Sequence, residues 1–325
     1  MYVDLVAAII AFIIAYSLVP VMRRLALRTG FVDMPTERKA HKSPLPMLGG
    51  AAMLVGFLIA TVVIRHFFLK GAASTNEAFD GLIIGGVIMF CVGMVDDYAK
   101  TRSRDFPAWP KFLAQVIAAA ILVYCGASIR GIQDPIHGTY YITFSSWFRD
   151  LITILWIVGI VNVFNFLDGL DGLAGGIAAM SASTLLIISI IKGDMSSAIS
   201  AASLIGVTLA FLRFNFYPAR IIMGDAGSTF IGYVLASIAV MGAFKSATII
   251  SIFVPVLALG VPIFDAVFVV ARRLIEKRPV YKADRSHSHY RLMASGLTQI
   301  QTVSILYLVA LGFSVVSIMI ALVYR

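Results

Sequence analysis

The stretch Asn162-Val163-Phe164-Asn165-Phe166-Leu167-Asp168-Gly169-Leu170-Asp171-Gly172 joins two apolar runs, Leu151 to Val161 before it and Leu173 to Ile191 after it. Two amides, two carboxylates and two glycines therefore stand where one membrane-length segment ends and the next begins. A capped helix junction needs one Asp or Asn, not four such groups. The junction reads as one wall of an active site. On helical geometry Asn162 and Asn165 share a face, as do Asp168 and Asp171, each pair being three apart. Gly169 and Gly172 let the backbone turn and a ligand approach closely.

Similar apolar runs fill the chain. Its 325 residues are 60% hydrophobic and 13% charged, with a mean hydropathy of +0.92. That balance excludes a soluble globule and predicts an all-α polytopic membrane protein, a single catalytic domain over 1–325. The runs approach the roughly 20 residues that cross a bilayer and lack the alternation of a membrane barrel. Ten spans are expected, at 3–22, 47–69, 81–96, 110–127, 150–166, 172–191, 196–213, 227–244, 247–271 and 301–323. The first has no basic segment before it and no small-residue cleavage site, so it reads as an uncleaved span.

Ten spans place both termini on one side of the membrane. The loops after odd-numbered spans, with their flanks, hold 19 of the 26 Lys and Arg residues. Basic residues mark the cytoplasmic face, so both termini are expected outside. The net charge of +9 then reads as a topology signal with affinity for anionic lipid or substrate phosphate, and no nucleic-acid partner is expected. Cys91 and Cys125 give neither a disulfide framework nor a metal spacing. A small external hairpin is expected near 130–146, where Gly131, Pro135 and Gly138 punctuate a run of Thr, Tyr, Ile and Phe.

The polar motifs gather in the cytoplasmic loops. Asp96-Asp97 closes the third span. Two adjacent carboxylates at a helix C-terminus repel each other and the helix dipole, so a divalent metal, or Lys100 and Lys111, should compensate. Met223-Gly224-Asp225-Ala226-Gly227-Ser228 opens the eighth span. There Asp225 is either a cap or a metal ligand, with free backbone N–H groups turned to phosphate. Asp284-Arg285-Ser286-His287-Ser288-His289-Tyr290-Arg291 makes a basic patch suited to phosphate, against the plainer reading of an ordinary basic inner loop. Asp265 lies within the ninth span and marks a function, with Arg272 or a residue of the site as its partner. Carboxylates, amides and cations from five loops on one face fit metal-assisted phosphoryl transfer. Oxygen ligands of this kind suit Mg²⁺. No Walker-type loop is present.

With these motifs in order from Pro46-Met47-Leu48-Gly49-Gly50 to the His287 segment, the chain resembles the polyprenyl-phosphate N-acetylhexosamine-1-phosphate transferase family. The resemblance covers nearly the whole length. It implies a bacterial plasma-membrane enzyme with a cytoplasmic Mg²⁺ site (Mn²⁺ as a substitute), a UDP-sugar donor and undecaprenyl phosphate as acceptor. It implies catalytic roles for Asp96, Asp97, Lys111, His287 and His289, and metal ligation by Asp225 with Asn165. It implies substrate contacts from Asn162, Asp168, Asp171, Asn215, Lys42 and Arg285. His287-Ser288-His289-Tyr290 is closer to the His-x-His-His of the N-acetylglucosamine-1-phosphate branch than to the three consecutive histidines of the muramoyl-pentapeptide branch, with Tyr290 replacing the last histidine.

The expected reaction is transfer of N-acetylglucosamine 1-phosphate to undecaprenyl phosphate with release of UMP. A muramoyl-pentapeptide donor is the alternative within the fold, and a secondary transporter the alternative outside it. A homodimer is the assembly to test.

Overall fold

The computed structural model describes residues 2–34, 44–68, 73–102, 104, 106–133, 141–242, 249–276 and 287–323. Lys42 and Arg285, two of the expected substrate contacts, lie outside these described residues. Helices dominate: α1 (Tyr2–Thr29), α2 (Gly49–Phe68), α3 (Ala73–Thr101), α4 (Ala108–Tyr124), α5 (Ser146–Leu167), α6 (Leu173–Ile191), α7 (Met195–Asn215), α8 (Gly224–Met241), α9 (Ile249–Ala258), α10 (Gly260–Ile275), α11 (Ser288–Ala294) and α12 (Gln299–Val323). Two short antiparallel pairs complete the described elements, β1 (Val32–Asp33) with β2 (Leu45–Pro46) and β3 (Gly131–Gln133) with β4 (Tyr141–Thr143). The second is the hairpin expected near 130–146.

Eight helices are long and apolar enough to cross a membrane: α1, α2, α3, α5, α6, α7, α8 and α12. The apolar α4, of 17 residues, coincides with the expected fourth span. The ninth expected span, 247–271, is not one helix. It breaks at Leu259 into α9 and α10. Pro255 within α9 and Pro262 in the first turn of α10 each lack a backbone donor, which weakens the continuous helix ladder. Gly260 at the break lies against α12, where a Cβ would come within 2.7 Å of the Phe313 ring.

The third span also ends later than expected. Its helix runs past Asp96 and Asp97 to Thr101, so the two carboxylates lie inside the last turns. Lys100, four residues after Asp96, makes that extension favourable by an i,i+4 pair at 2.9 Å.

The core sits around α7 and α8, which are buried along most of their length, whereas α1 and α12 are largely exposed. Small residues let backbones close up. Ala7, Ala11 and Ala15 of α1 are fully buried, and a Cβ on Gly206 of α7 would lie 2.2 Å from the Ala8 carbonyl oxygen of α1. The first turn of α8 is clamped from two sides. A Cβ on Gly50 of α2 would meet Gly227 N at 2.6 Å, and one on Gly93 of α3 would meet Ala226 Cα at 2.4 Å. The loop before α8 is tied to the same region: Ile222 N donates to Pro46 O (2.9 Å), and Gly49 and Gly50 N donate to Ile222 and Met223 O (3.1 and 3.2 Å). The Pro46 to Gly50 motif therefore acts as the bracket that fixes where α8 begins.

Candidate active site

Asp225 stands on the bracketed turn, at the second helical residue of α8. Gly224 before it has φ +70°, and a Cβ there would lie 2.3 Å from Asp97 Oδ2. Only glycine fits that backbone so close to a carboxylate. Asp97, 1% exposed, accepts from Asp225 N on Oδ1 (2.9 Å) and from Ala226 N on Oδ2 (3.0 Å). It thereby caps α8 from another helix, satisfying two of the donors that a helix start leaves unpaired. The N–H groups read from sequence as turned to phosphate are the ones held by Asp97.

Asp96 and Asp225 are joined by two lysines. Lys100 Nζ lies 2.9 Å from Asp96 Oδ2 and 2.7 Å from Asp225 Oδ1. Lys111 Nζ lies 2.7 Å from Asp96 Oδ2 and 2.9 Å from Asp225 Oδ2. Asp96, Asp97 and Asp225 each offer an oxygen within 4.8 Å of the others. Three carboxyl groups stand against two ammonium groups. That oxygen-rich, acid-excess set is chemistry suited to Mg²⁺.

The opening stretch divides on folding. Asn162 and Asn165 both lie on α5 but take different partners. Asn162 Nδ2 donates to Gln115 Oε1 (2.6 Å) and receives Gln115 Nε2 on its oxygen (3.3 Å), which ties α5 to α4. Asn165 Nδ2 donates to Ser228 Oγ (3.0 Å), on the turn that follows Asp225, and its amide oxygen is the atom able to ligate a metal. Asp168 and Asp171 do not share a helical face, because α5 ends at Leu167 and the next helical residue is Leu173. Gly172, with φ +78°, is held from both sides: Asn215 Oδ1 accepts its N–H (3.0 Å) and Tyr307 donates to its carbonyl (2.6 Å). Asn215 also donates to Ile221 O (2.9 Å), so its amide links the junction to the loop before α8. Asp171 Oδ2 accepts from Ala219 N (3.0 Å) of the same loop.

These parts surround a cavity of about 420 Å³, lined by Asp97, Lys100 and Asp225 at one part of its wall and by Asp168, Gly169, Asp171, Asn215 and Tyr290 elsewhere. Burial pushes the Asp168 carboxyl up to about 8, and the negative charges of Asp225 and Asp97 push the same way. A carboxyl that stays protonated near neutral pH can donate a hydrogen bond as well as accept one. Asp33 also lines the cavity, and the sequence reading did not single it out. It is a lone acid in a loop, and only the pairing of β1 with β2 brings it to the wall.

The last segment arrives through α11. His287 immediately precedes α11 and His289 is its second residue. The two rings stack at 5.8 Å, and His287 also packs on Phe166 at 5.5 Å. His289 is fully buried against Gly169, whose Cβ would lie 2.7 Å from Nε2. Its ring nitrogens have no hydrogen-bond partner among the described residues. Burial holds its imidazole down at about 4, with nearby His287 adding to the effect and Asp265 opposing it. Asp265 pairs with His287, whereas Arg272 pairs with Glu276 (2.8 Å).

The model of Glycosyl transferase family 4 matches residues 79–243, which include both halves of the carboxylate cluster and the whole Asn162 to Gly172 stretch. The chain is 34% identical to the probable undecaprenyl-phosphate N-acetylglucosaminyl 1-phosphate transferase of Bacillus subtilis, covering 96% of this chain and 84% of that protein. It is 31% identical to the decaprenyl-phosphate N-acetylglucosaminephosphotransferase of Mycobacterium tuberculosis (92% and 78% covered). It is 30% identical to a phospho-N-acetylmuramoyl-pentapeptide-transferase of Desulforudis audaxviator (91% and 92% covered). With its motifs, its bundle and these relatives in accord, the chain belongs to Glycosyl transferase family 4.

Proposed function

We propose that the chain transfers N-acetylglucosamine 1-phosphate from UDP-N-acetylglucosamine to undecaprenyl phosphate, releasing UMP. The reaction takes place at the cytoplasmic face of a bacterial plasma membrane. The observation that carries the reading is the cluster in which Lys100 and Lys111 bridge Asp96 and Asp225 beside the cavity. Two fixed cations next to three carboxylates form a site for phosphate charge with a place for a dication. The choice of sugar is supported by the relatives named for N-acetylglucosamine, which include those at 34% and 31% identity.

An oxygen of the lipid phosphate attacks the phosphorus that carries the sugar. The bond from that phosphorus to the bridging oxygen breaks, and UMP leaves with the oxygen. Lys100 and Lys111 offset the charge gathered on the leaving phosphate. Asp96 is the carboxylate placed between both lysines, suited to orient the acceptor or take its proton. Asp97 keeps Asp225 in place by capping α8. Asp168, Asp171 and Tyr290 face the nucleotide. Asp225 and the amide oxygen of Asn165 would hold Mg²⁺, which when bound polarises the pyrophosphate and neutralises its charge. Ten spans with both termini outside complete the reading, α9 and α10 together making the ninth.

Purified protein is incubated with undecaprenyl phosphate and each donor in turn, and UMP is measured. Release from UDP-N-acetylglucosamine is expected. Turnover of only the muramoyl-pentapeptide donor would overturn the choice of sugar. For the metal, Asp225→Asn is expected to abolish Mg²⁺-dependent UMP release, and full retention of it would remove Asp225 from the metal site.

A further inference from the structure

Asp265 belongs neither to the wall of the cavity nor to the Asp96–Asp97–Asp225 group. Its side chain is nevertheless almost buried, at 7% exposure. Both of its oxygens are engaged by one short segment. Oδ2 lies 2.7 Å from His287 Nδ1, and Oδ1 accepts from Ser288 N at 2.6 Å. Ser288 is the first residue of α11, so a single carboxylate on α10 orients the histidine and caps the helix that follows it. His287 itself is 8% exposed and is fixed on a second side by the Phe166 ring. The His287 ring also stacks on His289, which packs against Gly169 of the cavity wall.

The chemistry requires a carboxylate. An ionised Asp accepts at both oxygens, whereas an amide in its place accepts at one end and donates at the other. With Asp265 as acceptor, the ring proton of neutral His287 must sit on Nδ1, and the nitrogen left for chemistry is Nε2. Which ring nitrogen carries the proton is set by the bond that the other makes.

We propose that Asp265 is a positioning residue for the reaction. It holds His287 in the Nδ1–H form, with Nε2 presented to the substrate phosphates, and it anchors the start of α11 on α10. The role of Nε2 rests on the function proposed above; the tautomer and the anchor do not. An Asn at 265 that kept its oxygen on Ser288 N would turn its NH₂ toward Nδ1. The ring proton would then move to Nε2 and remove the acceptor there, while the α11 cap survived.

The test uses the full-length protein in detergent with ¹⁵N-labelled histidine. Long-range ¹H–¹⁵N correlation spectra read the tautomer, and the His287 signals are assigned by their loss in His287→Gln. Wild-type protein should show Nδ1–H at neutral pH, and Asp265→Asn should show Nε2–H. By analogy with other carboxylate–histidine pairs, kcat for UMP release should fall by about tenfold or more in Asp265→Asn, with KM for the donor within about threefold. Asp265→Glu, which keeps both acceptors, should restore the Nδ1–H form and part of kcat. A wild-type His287 protonated on Nε2 would overturn the proposal and needs no variant to fold. So would Asp265→Asn with wild-type kcat or an unchanged tautomer. Absence of UMP release from wild-type protein would remove the proposed function, and the tautomer would still decide the Asp265–His287 pairing.

Discussion

At the scale of single residues, carboxylates of one chemical type do different work because their neighbours differ. Asp96 and Asp225 face ammonium groups, Asp97 and Asp265 face helix N-termini, and Asp171 holds a loop amide. His289 adds a titration. Its folded value near 4 lies below the roughly 6.5 of an unfolded histidine. Between those values His289 binds more protons in the unfolded chain, so its contribution to stability rises with pH across that window, against the opposite trend from the raised Asp168 carboxyl. The contribution is fully present above about 6.5 and is lost as pH falls through the folded value near 4. In detergent, the thermal stability of the wild-type protein relative to His289→Phe should therefore rise with pH across that window. Equal slopes in the two proteins would mean that His289 is not buried in neutral form.

At the scale of elements, the start of α8 is the structural centre of the site. Gly50 of α2, Gly93 of α3 and the Asp97 cap all close on one turn. Gly93→Ala places a methyl group against the Ala226 backbone, where no flexible side chain can yield. Overpacking of this kind typically costs about 1–3 kcal/mol. Gly93→Ala is therefore expected to unfold at lower temperature and to lose activity beyond the loss of stability, because Asp225 moves with the turn. A variant of wild-type thermal stability and activity would show that α3 and α8 do not meet there. α10, which begins after the break at Leu259, carries Asp265 to the start of α11.

At the scale of the molecule, charge and hydropathy place the polar cluster at one face of the bundle. The proposed topology puts Ser145, before α5, outside and Ser295, after α11, inside. In a background with Cys91 and Cys125 replaced by alanine, Ser145→Cys should react with a membrane-impermeant maleimide added to intact cells. Ser295→Cys should react only after permeabilisation. Equal labelling of both in intact cells would contradict ten spans with the termini outside.

The sequence by itself determined the class of the fold. Apolar runs of membrane length can satisfy their backbone only as helices, and this is legible from composition and spacing without any contact being known. It also singled out the carboxylates and lysines that the fold gathers into the candidate site, because such groups are costly at a membrane helix end. Tertiary structure decided which of them meet. Asp96 and Asp225 are 129 residues apart, and their bridging by Lys100 and Lys111 depends on helices packing at glycines. It separated Asn162, tied to Gln115, from Asn165, tied to Ser228, though the same spacing had put them on one face. It gave Asp265 to His287 rather than to Arg272, because periodicity reports which residues share a face and says nothing of the element that will cover it.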